Sequence, residues 1–133
     1  MISKLDNEFQ FYETALTLRG YRQQLLASNI ANADTPNFKA RDIDFASSLQ
    51  GALSSRPTNT GLAVTSSRHI GSGGEGTAGA KVMYRTPVQP SIDGNTVDMD
   101  RERTQFADNA IHYQANLELL KGQIKFMMSA IQG

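Results

Sequence analysis

The feature that most limits what this chain can fold into is the run from Phe106 to Ile131. Apolar residues recur there at Phe106, Ala110, Tyr113, Leu117, Leu120, Ile124, Met127 and Ile131. The steps alternate between four and three without a break. Such a 3.5-residue repeat is a stripe along one side of a helix, and it needs a partner helix. Asp108, Asn109, Gln114, Asn116, Glu118, Lys121, Gln123 and Lys125 fall between the seam positions and suit water. A lone helix of this length is marginal in water, because most helix stability in proteins comes from packing the apolar face. The rest of the chain must therefore supply a cover for the stripe.

The N-terminal region offers one. Leu5, Phe9, Tyr12 and Leu16 repeat the same alternation, and the phase continues to Leu26, Ile30 and Ala33. Arg19 and Gln23 take the two seam positions between them. The pattern predicts a helix over 1–33 whose stripe is apolar at both ends and polar in the middle, an imperfect mate for the first seam. Phe11, Leu18, Leu25, Leu119, Phe126 and Met128 lie off both stripes. In a two-helix unit they are expected to stay exposed, which points to further helices from other copies of the chain.

The first helix must end before Pro36, since proline disfavours helical geometry in the residue ahead of it. Thr35-Pro36-Asn37-Phe38 reads as a β-turn, with proline presetting φ at the second position and asparagine tolerating positive φ at the third. Asn29 and Asn32 share a face of the last helical turn. Their amides are within reach of the carbonyls left open at the helix end, or of the turn's backbone.

Residues 34–53 form a turn packet. Phe38 to Arg41 reads as extended, and Asp42 or Asp44 caps a short helix with Phe45, Leu49 and Leu53 on one side. Residues 54–95 form a Gly/Ser/Thr-rich middle; within 54–80, fifteen of 27 residues are of these three types. That composition buries too little apolar surface to offset its ordering entropy. Leu62–Ser66 and Lys81–Arg85 are the two strand candidates, either as a small hairpin or as a loop ordered by a partner. Asp93-Gly94-Asn95 reads as a turn, and Thr96 or Asp98 as the cap of a helix over 96–133. The expected fold is mainly α: two long terminal helices packed as a coiled-coil-like pair, with an irregular middle that accommodates a short β-hairpin.

Several function classes drop out. The 13 basic and 13 acidic residues balance, so there is no basic face to steer toward nucleic acid. Cysteine is absent, which removes disulfides, zinc–thiolate sites and cysteine nucleophiles together. No apolar run is long enough to span a membrane. Asp6, Glu8 and Glu13 interrupt the start, so no cleaved signal peptide is expected. His69 and His112 do not pair at a metal spacing. Asp42 with Asp44, and Asp98 with Asp100 and Glu102, sit at helix starts, where capping and the helix dipole account for them. The Gly71–Gly76 run lacks the Gly-Lys-Ser/Thr of a phosphate loop. No catalytic, metal or cofactor site and no small-molecule substrate are expected.

The stretch Leu26-Ala27-Ser28-Asn29-Ile30-Ala31-Asn32-Ala33-Asp34-Thr35-Pro36-Asn37-Phe38-Lys39 resembles the N-terminal signature of the bacterial flagellar axial proteins, the rod and hook family. That signature runs small residue, Asn, two residues, Asn, two residues, Thr, one residue, Gly, aromatic. Here Asn37 stands for the usual glycine. Ala40-Arg41-Asp42-Ile43-Asp44-Phe45 narrows the likeness to the proximal rod members. So do Asp93 to Asp100, Glu102, Phe106, Ala107, Asn109 and Tyr113-Gln114. The likeness covers residues 1–53 and 84–133.

The resemblance implies a structural subunit, not an enzyme. It implies stacking with copies of itself and other rod proteins in a helical tube across the periplasm, lined by the terminal helices. It also implies contact with the inner-membrane ring and its adapter protein, delivery by the flagellar type III export apparatus without a cleaved signal, and torque transmission for motility. On this reading the assembly interface comprises Leu5, Phe9, Tyr12, Leu16, Leu26, Asn29, Ile30, Asn32, Thr35, Pro36, Asn37 and Phe38, with the eight seam positions from Phe106 to Ile131. The competing reading from another class is a helical binding module or export chaperone for another flagellar component. A peptidoglycan-cutting enzyme of the same assembly lacks a catalytic constellation.

Overall fold

The structure, a computed structural model, describes residues 2–54 and 79–133, with side chains from Lys4 onward. Helix α1 runs Ile2–Ala31, strand β1 Arg41–Ile43, helix α2 Phe45–Ser54, strand β2 Val82–Tyr84 and helix α3 Met99–Gln132. The two long helices lie antiparallel. Asn29 meets Glu102, Arg19 meets Asn109, and Glu8 meets Gln123. The expected pair of terminal helices is therefore present, and α3 with its 34 residues is about 50 Å long at 1.5 Å per residue.

Helix α1 is covered on two sides, not one. Leu18, Leu25, Ile43 and Ala80 form the buried cluster, with Tyr21, Phe45, Leu49 and Val82 packed around it. Leu18 and Leu25 were expected to remain exposed; they are 0% and 5% exposed because α2 and the strand pair cover this second face. The other off-stripe residues, Phe11, Leu119, Phe126 and Met128, are exposed as the pattern implies.

The strand expected within Lys81–Arg85 forms, but its partner lies in the turn packet. β2 pairs antiparallel with β1 in the register Arg41↔Tyr84, Asp42↔Met83, Ile43↔Val82. The Arg85 N–H continues the ladder to the Ala40 carbonyl at 2.9 Å. The expected strand at Leu62–Ser66, His69 and the Gly71–Gly76 run lie outside the described residues.

Caps fix the junctions. The Asn32 side chain donates to the Ser28 carbonyl at 2.8 Å. The Asn95 amide then gathers the carbonyls of Asn32, Ala33 and Thr35 at 2.8–2.9 Å. So an asparagine from the far end of the chain closes the C-terminus of α1, whose last carbonyls have no helical partner. Thr35–Phe38 is a turn closed by Phe38 N–H to the Thr35 carbonyl at 3.3 Å, with Asn37 at φ 60° as its position requires. Against it lies Gly94 at φ 75°, where an added Cβ would sit 2.6 Å from the Asn37 Oδ1. Of the alternative caps, Asp44 starts α2 and Asp98 starts α3, each accepting a backbone N–H at 3.3 Å. Thr96 instead accepts the Ala40 N–H at 2.8 Å, tying the packet to the entry of α3.

This division between covered and bare surface has a direct test. Leu26→Ala, at a fully buried site, is expected to lower stability by about 2–5 kcal/mol. Phe126→Ala on the bare face of α3 is expected to change it by less than about 0.5 kcal/mol. Thermal melts of the two variants followed by circular dichroism check the contrast.

Candidate assembly interface

An ion-pair network holds the hairpin to its turn packet. Arg22 of α1 grips Asp42 of β1 with two parallel bonds, Nε to Oδ1 at 2.9 Å and Nη2 to Oδ2 at 3.0 Å. Its Nη2 also donates to Gln105 Oε1 of α3 at 2.7 Å. Arg85, just after β2, donates to Asp42 Oδ2 at 2.5 Å and to Glu102 Oε1 of α3. Asn29 Nδ2 donates to the other oxygen of Glu102 at 3.1 Å. Two arginines and two carboxylates thus neutralise one another across four elements.

Asn29 also acts as a substitute strand. Its amide donates to the Arg41 carbonyl at 2.8 Å and accepts the Arg41 N–H at 3.0 Å. One side chain therefore satisfies the outer edge of β1, which a neighbouring strand would otherwise do. Burial pushes the Asp42 carboxyl up, but the hydrogen bonds from Arg22 and Arg85 outweigh it and hold the group below the usual carboxylate range. The hydrogen bond to Asp42 raises Arg22 in return.

These carboxylates correct the reading of the acidic clusters. Asp42 and Glu102 do not serve as caps; they bridge elements, while Asp44 and Asp98 do the capping. Arg22, Arg85, Gln105 and Asn95 were not foreseen. Arg22 carried a signal, because it lies four residues after Leu18 and three before Leu25, on what is otherwise an apolar face.

The face that α3 turns toward α1 is also more polar than the seam suggests. Glu102, Asn109, Asn116 and Gln123 recur every seven residues. The first two are buried and the others half-buried, although Asn109, Asn116 and Gln123 were expected to face water. Asn109 donates to the Arg19 carbonyl at 2.8 Å and to Gln23 Oε1 at 2.6 Å, and accepts from Arg19 Nη1 at 3.3 Å. Gln123 donates to Glu8 Oε2 at 2.7 Å. The polar middle of α1 is therefore matched by a polar line on α3 and is not a poor mate. Arg19 also stacks its guanidinium 3.7 Å above the Phe45 ring. Burial, then the neighbouring Arg22, lowers its pKa.

Rotating the contact face toward this polar line leaves the opposite flank of the apolar seam uncovered. On α1, Leu26 is buried, Phe9, Tyr12, Leu16 and Ile30 are half-buried, and Leu5 is exposed. On α3, Phe106, Leu117, Leu120 and Met127 are half-buried, whereas Ala110, Tyr113, Ile124 and Ile131 are exposed. In the elbow Asn29 is buried, Asn32 and Phe38 half-buried, and Thr35, Pro36 and Asn37 exposed. Ile111, Leu119, Phe126 and Met128 add a bare outer stripe. Beside the seam runs an open groove of about 520 Å³ lined by Gly20, Gln23, Gln24, Ala27, Phe106, Ala110, Tyr113 and Gln114. Among the described residues no helix is long and apolar enough to cross a membrane. Nor do three metal-ligating side chains converge among them.

An antiparallel hairpin with an asparagine-tied elbow carries an apolar surplus along one helix, and known proteins that the chain resembles define its class. The family model described as "Flagella basal body rod protein" matches residues 9–39, from α1 through the Thr35–Phe38 turn. The chain is 53% identical to the flagellar basal body rod protein FlgB of Yersinia enterocolitica, over 99% of this chain and 98% of that one. It is 52% identical to the FlgB of Salmonella typhimurium, over 100% and 99%. It is 49% identical to that of Cereibacter sphaeroides, over 90% and 89%. The chain belongs to the FlgB family of flagellar basal body rod proteins.

The network sets two expectations for the fold beneath this surface. Arg85→Met strands Glu102, which is 1% exposed, and is expected to cost about 3–5 kcal/mol in urea denaturation. Asp42 has a folded pKa below its unfolded value, so its contribution is complete above about pH 4 and is lost as pH falls through the lower folded value. Asp42→Asn is expected to flatten that acid limb of the stability curve, while also lowering stability at neutral pH.

Proposed function

We propose that this chain is a structural, non-catalytic subunit of the proximal rod, stacking with copies of itself and with other rod proteins in a helical tube that crosses the periplasm. On this reading it is delivered by the flagellar type III export apparatus without a cleaved signal. It meets the inner-membrane ring and its adapter protein, and it passes motor torque outward for motility. The FlgB relatives support the basal body and the rod. What supports assembly through the helices is the apolar surplus on α3: Ile124, Phe126, Met128 and Ile131 stay exposed on a helix that already has its intramolecular partner. Bare apolar surface of this extent, on a scaffold whose buried Asn29, Asn95, Glu102 and Asn109 are internally paired, fits contacts between subunits. Heterologous contacts whose rotation does not close on itself generate an open filament, whereas isologous ones close into a dimer.

The Thr35–Phe38 elbow joins this interface in the proposal. Thr35, Pro36 and Asn37 are exposed on a turn whose backbone is fixed by Asn32 and Asn95, so they offer a neighbour a surface of set shape. A double variant, Ile124→Asp with Phe126→Asp, tests the reading. It is expected to keep the wild-type melt as a monomer, to be absent from isolated basal bodies, and to leave cells non-motile in soft agar. Rods that carry the double variant and swim normally would sink the proposal.

A further inference from the structure

The sequence holds one Asp-Gly step, Asp93-Gly94, and no Asn-Gly step. An Asp-Gly link is prone to rearrange, because glycine has no side chain to shield its nitrogen from the preceding carboxyl. In that reaction the Gly94 nitrogen bonds to Asp93 Cγ, and the carboxyl OH leaves with the amide proton as water. A five-membered imide results. Water then reopens the imide at the Asp93 main-chain carbonyl, whose bond to the Gly94 nitrogen breaks. The product is isoaspartate, with the main chain running through Cβ and Cγ and one atom longer.

Asp93 is exposed, so bulk water reaches it and burial gives no protection. The turn protects it by holding the reacting groups. The Gly94 N–H donates to the Ser91 carbonyl at 3.2 Å, and the Asp93 carbonyl accepts the Asn37 N–H at 2.9 Å. The peptide group between Asp93 and Gly94 is thus tied at both ends. The carboxylate is tied as well: Oδ1 accepts from Ser91 Oγ at 2.7 Å and from the Asn95 N–H at 3.1 Å. Ring closure removes the Gly94 N–H and draws the carboxyl carbon onto the nitrogen, away from its two donors. The same donors, Ser91 first, hold the Asp93 carboxyl below the usual carboxylate range, and an ionised carboxylate has no OH to lose.

We propose that Asp93-Gly94 is a latent isoaspartate site that the folded turn silences, with Ser91 as the guarding side chain. The position gives the modification a structural consequence. Gly94 is packed so closely on the turn at Asn37 that an added Cβ would sit 2.6 Å from Asn37 Oδ1. The next residue, Asn95, closes the end of α1 through the carbonyls of Asn32, Ala33 and Thr35. An extra main-chain atom between Asp93 and Gly94 displaces both, so a modified chain loses the closure of its elbow. The mark therefore accumulates in chains that spend time unfolded and spares those that have folded.

The full chain, folded or in guanidinium chloride, is incubated warm in mildly acidic buffer. Isoaspartate is then counted in the tryptic peptide Thr86–Arg101 by electron-transfer mass spectrometry. Unfolded wild type is expected to gain it about tenfold faster than folded wild type, since the near-attack geometry is reached only when the turn opens. Folded Ser91→Ala is expected to gain it about fivefold faster than folded wild type, the effect of one hydrogen bond. Ser91→Thr, which keeps the hydroxyl, is expected to restore protection, and all three chains should age alike when unfolded. Modified wild type returned to native buffer is expected to melt below the fresh chain. Equal rates in folded and unfolded wild type would overturn the protected site. Folded Ser91→Ala ageing at the wild-type rate, or Ser91→Thr ageing like the alanine variant, would remove Ser91 as the guard. An unchanged melt after modification would overturn the link to the elbow.

Discussion

Glu102 carries its negative charge at a site almost closed to water, and the rest of the hairpin is arranged around neutralising it. A buried carboxylate without partners is costly enough that the chain must bring donors to it from elsewhere. Asn29 comes from α1 and Arg85 from the strand that returns out of the middle of the chain. Arg85 then needs a second acceptor, Asp42, which is itself gripped by Arg22. Removing Arg85 leaves Glu102 with Asn29 alone, and removing Asp42 leaves Arg22 with Gln105 alone. A network of this kind adds little net stability over an apolar core of the same shape, but it penalises every arrangement in which its members do not meet. It therefore specifies where α1, the turn packet, β2 and α3 sit relative to one another.

The same logic runs down the helix pair. An antiparallel pair with only aliphatic seams can slide by a heptad at small cost, since one leucine replaces another. Asn109 prevents this. It faces Arg19 and Gln23, and a shift of either helix leaves its amide facing an apolar neighbour. Gln123 against Glu8 repeats the check farther along. Polar positions set the register, and the apolar ones next to them are left with surface to spare.

Much of this was legible in the sequence, and the rest was hidden for identifiable reasons. Both long helices follow from the alternation of four and three, and the Pro36 turn follows from proline and Asn37. The strand pair was half legible. Val82–Tyr84 reads as a strand, but its partner spans only Arg41–Ile43 and lies about forty residues back, too short for a periodic signal and too distant for a hairpin signal. The fate of Leu18 and Leu25 was misread because a two-helix unit has one buried face, and the cover over the second comes from that unforeseen sheet and from α2. The heptad of Glu102, Asn109, Asn116 and Gln123 was in plain view. Equating polarity with exposure sends Asn109, Asn116 and Gln123 to water and leaves Glu102 to the helix dipole, and the partner residues Arg19 and Gln23, which carry the answer, sit on the other helix. Asn95 could not be matched to α1 by any local pattern, since its role as a cap exists only after the chain has turned back.

The arrangement also explains how a chain with so much exposed apolar surface can serve as a building block and not an aggregation hazard. Exposed strands and unsatisfied backbone make sticky edges. Here the outer edge of β1 is closed by Asn29 and the end of α1 by Asn95. On the helices, what remains bare is side-chain surface over backbone that is already satisfied, and Met83, Tyr84, Val88 and Ile92 add exposed apolar side chains beyond them. Such surface binds by shape. It accepts a neighbour only where ridges and grooves fit, and it rejects random contacts that leave its charged rim, with Glu118 and Lys121 already paired, against an apolar face. Overall neutrality keeps copies from repelling one another once they align. The polar network makes the monomer unique, and the apolar remainder makes it incomplete without neighbours.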